Sequence, residues 1–137
     1  MLVVDANVVW AAAARGRLAP VVAAIIRRDP VWAAPQLCLS EMRNACTTSH
    51  RAGRLGLDDA AEILAEAERL LGGRVRMAPS RRVLELAFGS NCSAYDCEYV
   101  AVAEALGVSL ITLDRQVLEA FPAIAVAPEA FVARPQG

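Results

Sequence analysis

The chain has no lysine; all fourteen of its basic residues are arginine. Schiff-base chemistry is therefore excluded, as are phosphate sites built on a lysine, the P-loop included. Histidine is almost as scarce. His50 is the only one, so any Ser-His-Asp or Cys-His machinery would have to run through it. The four cysteines, Cys38, Cys46, Cys92 and Cys97, fit no zinc ribbon, zinc finger or CxxC redox spacing. Long apolar runs are missing too. The longest, from Ala19 to Ile26, falls well short of the roughly 20 residues that span a bilayer. Met1 leads straight into Leu2-Val3-Val4-Asp5, with no signal-peptide pattern. The expectation is a cytoplasmic protein with reduced thiols and no membrane segment.

What is present suits a packed core. The 137 residues (14.6 kDa) are 56% hydrophobic and 21% charged, which excludes a disordered chain and predicts a single domain over residues 1–137. The formal charge is only -1, so no basic excess announces a nucleic-acid partner.

Leu2-Val3-Val4 is a continuous apolar run ending at Asp5, as in a strand buried on both faces. Leu18, Val21, Val22 and Ile25 recur at helical spacing, and Val31 to Ala34 reads as a strand closed by Pro35. Helices are predicted from Leu39 to about His50 and from Leu57 to Leu71, the second stopped by Gly72-Gly73. On the latter, Leu57, Ala60, Ala61, Leu64 and Leu71 share one face. A strand over Val75–Met77 and a short helix through Phe88 come next, then a helix from Tyr95 to Leu106 stopped by Gly107. Val108 to Leu113 reads as a strand running into Asp114, and Ile124 to Val126 as a last strand broken by Pro128. Strands alternating with helices predict an α/β sandwich with a mostly parallel sheet.

Ligands of such sheets bind beyond the carboxyl ends of the strands. Asp5 and Asp114 end strands, Asp96 opens the helix feeding the later strand, and Glu41 lies early on another helix. Nine other acids (Asp58, Asp59, Glu62, Glu66, Glu68, Glu85, Glu98, Glu104 and Glu119) fall on helices at positions that read as exposed. Each of the first group also has a plainer role. Asp5 and Asp114 suit helix caps, Ser93 to Asp96 has the spacing of a capping box, and Glu41 complements a helix dipole. Four caps would have no reason to converge. Converging carboxylates raise one another's pKa, and a divalent cation relieves the conflict. All-oxygen ligands select Mg²⁺ or Mn²⁺ and suit phosphate substrates. If the acids were caps alone, Asp5→Ala and Asp114→Ala would each lose about 1 kcal/mol; in a crowded site the same changes would leave the metal-free protein equally or more stable.

These segments also resemble a known family. Val3-Val4-Asp5-Ala6-Asn7-Val8 is similar to the opening motif of PIN-domain ribonucleases, and Leu39-Ser40-Glu41-Met42-Arg43-Asn44-Ala45 to their second. Ser93 to Glu104 resembles the third motif and Leu110-Ile111-Thr112-Leu113-Asp114 the fourth. The motifs occur in family order over nearly the whole chain, and the nearest resemblance is to VapC toxins of bacterial type II toxin–antitoxin pairs. It implies a three-layer α/β/α sandwich with a mostly parallel five-stranded sheet. It implies Asp5, Glu41, Asp96 and Asp114 as catalytic, metal-binding acids for Mg²⁺ or Mn²⁺. It further implies single-stranded RNA as substrate, a homodimer, and an antitoxin that masks the site.

Asn7 and Thr112 are secondary candidates, for holding metal waters or carboxylates, and Arg43 for a phosphate contact. Some relatives carry a further acid just after the last Asp; here Arg115, Gln116 and Val117 follow. The implied reaction is in-line attack by metal-activated water, leaving 5′-phosphate and 3′-hydroxyl ends. Cleavage through the 2′-OH usually relies on histidine acid–base pairs, which a lone His50 does not supply. The remaining arginines read as a solvated or ion-paired surface, Trp32 and Cys97 as packing, and His50 as a helix-end residue. Trp10 stays open between packing and base stacking. Tyr95 and Tyr99 suit either the cleft rim or packing. The Ala-rich helices and high apolar content suggest a face hidden by another subunit, and the Leu57–Leu71 helix with the one before it suits an antitoxin grip. The alternative is a catalytically inactive PIN-like module serving in RNA binding or assembly.

Overall fold

The computed structural model describes residues 1–16 and 18–136. The strands are β1 (Leu2–Val4), β2 (Trp32–Pro35), β3 (Val75–Arg76), β4 (Leu110–Ile111) and β5 (Ala125–Val126). The helices among the described residues are α1 (Ala6–Ala14), α2 (Ala19–Arg28), α3 (Leu37–Arg51), α4 (Leu57–Leu71), α5 (Ser80–Phe88), α6 (Ala94–Leu106), α7 (Arg115–Ala120) and α8 (Pro128–Ala133). The sheet has five strands in the order β3-β2-β1-β4-β5, and every pairing is parallel.

Successive strand side chains point to opposite faces, yet every residue of β1, β2, β4 and β5 is buried. Both faces of the central sheet are therefore covered, which makes the expected three-layer α/β/α sandwich. Apolar runs without alternation are what such strands require. Trp32, Val3, Val4 and Ile111 are among the largest fully buried side chains, each worth about 1.5–3 kcal/mol of burial. Trp32 also donates its indole N–H to the Asp29 carbonyl at 2.9 Å.

The strand order sets the site. From β1 the chain winds outward through β2 and β3, then returns to pair β4 on the other side of β1. The winding direction reverses between β1 and β4, where α/β sheets open a crevice at their carboxyl ends. Val4 pairs with Ile111 across that boundary, and the Asp5 amide donates to the Ile111 carbonyl at 3.0 Å.

Helix boundaries follow local chemistry. Gly72 and Gly107 end α4 and α6 in the left-handed conformation (φ 53° and 66°), which glycine adopts without a Cβ penalty. Several boundaries differ from the sequence reading: β2 runs Trp32–Pro35 and takes in the proline expected to close it, and β3, β5 and the start of α6 each move by one residue. The strand expected over Val108–Leu113 forms a ladder only at Leu110–Ile111. Its amino end is taken by the helix stop, where the Val108 amide bonds the Ala103 carbonyl; its carboxyl end turns where the Thr112 hydroxyl accepts the Asp114 amide. Helix α3 begins at Leu37, two residues before the expected start. Pro128 opens α8, since its fixed φ and missing N–H suit a first helical position.

Candidate functional site

Asp5 follows β1 and caps α1. Its Oδ1 accepts from the Asn7 amide at 3.2 Å, and its Oδ2 accepts the Thr112 hydroxyl proton at 2.6 Å. Thr112 is 1% exposed. Its oxygen also accepts the Asp114 amide at 3.1 Å, so one buried hydroxyl ties the ends of β1 and β4 together. Asp114 caps α7 through Oδ1, which accepts from the Val117 amide at 3.1 Å. Asp96 lies in the first turn of α6, where its amide donates to the Ser93 hydroxyl at 3.1 Å. Glu41 comes from α3, and its Oε1 accepts the Tyr99 hydroxyl proton at 2.8 Å.

The carboxylates act on one another. Burial raises the Asp5 pKa, the charges of Asp96 and Asp114 raise it further, and the Thr112 and Asn7 hydrogen bonds pull it back. Burial raises Glu41 likewise, Asp5, Asp96 and Glu98 add to the rise, and Tyr99 opposes it. The charges that raise Asp5 and Glu41 are those of other carboxylates. Thus the charges of Asp96 and Asp114 reach Asp5, and those of Asp5 and Asp96 reach Glu41, while Asp5 and Asp114 also cap α1 and α7. Among the described residues no three His, Cys, Asp or Glu side chains close on one point at metal-binding distance. The donor set still fits a hard cation, because Mg²⁺ keeps several waters and takes only one or two carboxylates directly.

Of the secondary candidates, Thr112 joins the cluster. Asn7 gives its amide to Asp5 and, with Trp10, Glu41, Thr48 and Ser49, lines a cleft of about 320 Å³ beside it. Arg43 does not come to the carboxylates. Residues two apart on a helix do not face each other, and Arg43 lines a different cleft, of about 530 Å³ between α3 and α4, with Cys46, His50, Leu57 and Leu64. That cleft is the open half of the apolar α4 face: Leu57 is 82% exposed, while Leu71 is fully buried.

One contributor, Glu98, is not among the acids the sequence singles out. Glu98 reads there as an exposed helix acid, but it is half-buried, with its pKa raised by burial, and its charge acts on Glu41. Glu66 is half-buried as well, paired to Arg69 at 2.6 Å. Tyr99 is 5% exposed and bonded to Glu41, whereas Tyr95 is 67% exposed. The available signal was spacing, since Tyr99 stands one turn beyond Asp96 on α6.

The cysteines are all buried and free. Burial pushes the Cys38 thiol up to about 12 and raises Cys97 as well, consistent with packing roles. His50 Nδ1 donates to the Leu55 carbonyl at 2.7 Å, at the end of α3. Several arginines do structural work. Arg82 bridges Glu85 and Glu104, Arg74 bonds the Trp32 carbonyl, and Arg28 reaches the Val132 and Arg134 carbonyls with Phe131 under its guanidinium.

Comparison with known proteins agrees with this architecture. The family model for the PIN domain matches residues 2–124. Ribonuclease VapC3 of Pyrobaculum aerophilum is 35% identical over 92 residues, covering 64% of this chain and 70% of that protein. The crystal structure of PAE2754 from Pyrobaculum aerophilum superposes with a TM-score of 0.73 at 28% identity, over 97% of this chain and 94% of that one. FitAcB from Neisseria gonorrhoeae shares the fold, with a TM-score of 0.67 at 18% identity over 94% of this chain and 99% of that one. The chain belongs to the PIN domain family.

Proposed function

We propose that the protein is a Mg²⁺- or Mn²⁺-dependent endoribonuclease and the toxin of a toxin–antitoxin pair. The observation that carries this reading is the Thr112 hydroxyl tying Asp5 to the turn at Asp114 where β1 and β4 end, with the charges of Asp96 and Asp114 acting on Asp5 and those of Asp5 and Asp96 acting on Glu41. The similarity to Ribonuclease VapC3 supports the substrate class.

Asp5, Asp96 and Asp114 would hold the cation, directly or through water, and Glu41 would orient the attacking water. When bound, the cation supplies a nucleophilic water at neutral pH and offsets the charge that builds on the phosphodiester. The water oxygen bonds to phosphorus in line with the P–O3′ bond. That bond breaks, its electrons stay on the 3′ oxygen, the attacking water gives up its proton to solvent, and a solvent proton completes the hydroxyl. The products carry 5′-phosphate and 3′-hydroxyl ends. Thr112 holds Asp5 and the turn before Asp114 in place.

An antitoxin fits the apolar cleft between α3 and α4, where Leu57 and Leu64 are open to a partner. The homodimer expected of the family suits another face. Leu84 and Phe88, one turn apart on α5, are 49% and 85% exposed, and Tyr95 lies in the first turn of the next helix. A cytoplasmic location follows from RNA as substrate.

One observation favours a second reading, a catalytically inactive PIN-like module for RNA binding or assembly: among the described residues, no three carboxylates close on a single point. The experiment that separates the two is cleavage of a mixed RNA pool by purified protein with Mg²⁺, with EDTA, and with Asp96→Asn. The nuclease reading expects cutting that needs both the metal and Asp96. Cutting that survives EDTA, or that leaves 2′,3′-cyclic phosphate ends, overturns it. RNA binding without cutting or Mn²⁺ uptake favours the inactive module.

A further inference from the structure

Glu41 has the longest side chain of the four acids, and its own helix gives its carboxylate no hydrogen bond. It projects from the second turn of α3, caps no helix and is itself exposed. Asp5 and Asp114 are each fixed by a hydrogen bond from a helix amide. A free glutamate samples many rotamers, and holding one conformer takes a specific contact. Glu41 has such a contact: the Tyr99 hydroxyl donates to Oε1 at 2.8 Å. Tyr99 itself is 5% exposed and packed in the core, so its ring does not swing. It stands one turn after Asp96 on α6, and residues at that spacing share a face. On the other side, Cys38 stands one turn before Glu41 on α3, buried beside Tyr99.

We propose that Tyr99 is a positioning residue for Glu41, clamping Oε1 through its buried hydroxyl so that Oε2 is left for the cation or its water. A single helix, α6, would then supply both an acid of the site, Asp96, and the strut that fixes the acid contributed by α3. The inference rests on the metal-dependent nuclease reading and assigns a role that the four acids alone do not require.

The test compares wild type, Tyr99→Phe, Glu41→Gln and the double variant. Phenylalanine preserves the ring and removes only the hydroxyl. Tyr99→Phe is expected to melt near the wild type, to bind Mn²⁺ about 10- to 100-fold more weakly, and to lower kcat on a defined RNA with little change in KM. The double variant is expected to be no worse than Glu41→Gln, because residues acting through one contact are not additive. The metal-free protein gives an independent readout. Of the two tyrosines, only the buried one should show a slowly exchanging hydroxyl proton by NMR, and that signal should move in Glu41→Gln.

Wild-type Mn²⁺ affinity and kcat in Tyr99→Phe overturn the proposal, as does a double variant in which the two losses add. If Tyr99→Phe does not fold, the hydroxyl signal decides: one that ignores Glu41→Gln overturns the proposal. A wild type that neither binds Mn²⁺ nor cuts RNA removes the nuclease reading and this inference together. A wild type that does both, with an unaffected Tyr99→Phe, removes this inference alone.

Discussion

Asp5→Asn is expected to stabilise the metal-free protein. Asp5 has two effects of opposite sign. Its oxygens cap α1 at the Asn7 amide and receive the Thr112 hydroxyl, and both contacts favour the fold. Its charge opposes the fold, because burial and the nearby Asp96 and Asp114 carboxylates raise its pKa above 3.8 even after those hydrogen bonds have pulled it back. Asparagine caps about as well as aspartate. It also keeps the Thr112 contact, with donor and acceptor exchanged.

Because folding raises this pKa, the charged form costs stability at neutral pH, and Asp5→Asn is expected to melt above the wild type there. Asp5→Ala gains the same charge relief but loses the cap and strands a buried hydroxyl, which places it roughly 2–4 kcal/mol below the Asn variant. The pH dependence follows from the sign of the shift. With the folded pKa raised, the wild type has its full stability below the unfolded value of 3.8 and loses it as pH rises through the folded value. The advantage of Asp5→Asn should therefore be present at neutral pH and shrink to nothing near pH 4 and below. Calorimetric melting in EDTA across that range measures it. An Asn variant that melts below the wild type at pH 7.5, or an advantage that ignores pH, refutes the reasoning.

Three other predictions rest on single contacts. Thr112→Val conserves shape but leaves the Asp114 amide and Asp5 Oδ2 without their shared partner; a loss of about 1–3 kcal/mol in denaturant melts is expected, and an unchanged midpoint would show that the hydroxyl contributes nothing. Trp10 is half-buried in the cleft beside Glu41 while Trp32 is wholly buried, so single-stranded RNA should quench fluorescence in the wild type and not in Trp10→Phe; equal quenching in both would assign Trp10 to packing. Phe88→Asp changes a side chain that is 85% exposed, so it should leave Tm nearly unchanged while sedimentation shifts from dimer to monomer; a dimer that persists would move the interface elsewhere.

Much of the architecture was legible because it depends on local pattern. The Leu2–Val4 run marks a strand buried on both faces, and the acid that ends it lies where the crevice opens. Helix α4 has the expected bounds because Gly72 stops it in a conformation that other residues resist. What was hidden depends on pairing between distant segments. The length of β4 is set by the Thr112–Asp114 contact and the Val108–Ala103 helix stop, not by the apolar run. The role of Tyr99 requires knowing that α6 meets α3 at Glu41. The direction of Arg43 follows from helix phase, which placed it in the α3–α4 cleft and away from Glu41. Capping and a place at the crevice are not alternatives for Asp5 and Asp114: each caps a helix, because a strand end that faces the crevice is also where the next helix begins.

The central claim is that carboxylates from separate elements act as one divalent-cation site. Mn²⁺ titration by calorimetry tests it most directly, using wild type, Asp96→Asn on α6 and Asp114→Asn before α7. The account expects saturable binding in the wild type and its loss in both variants, with all three proteins folded by circular dichroism. A folded wild type that takes up no Mn²⁺, or binding that survives in both variants, contradicts it.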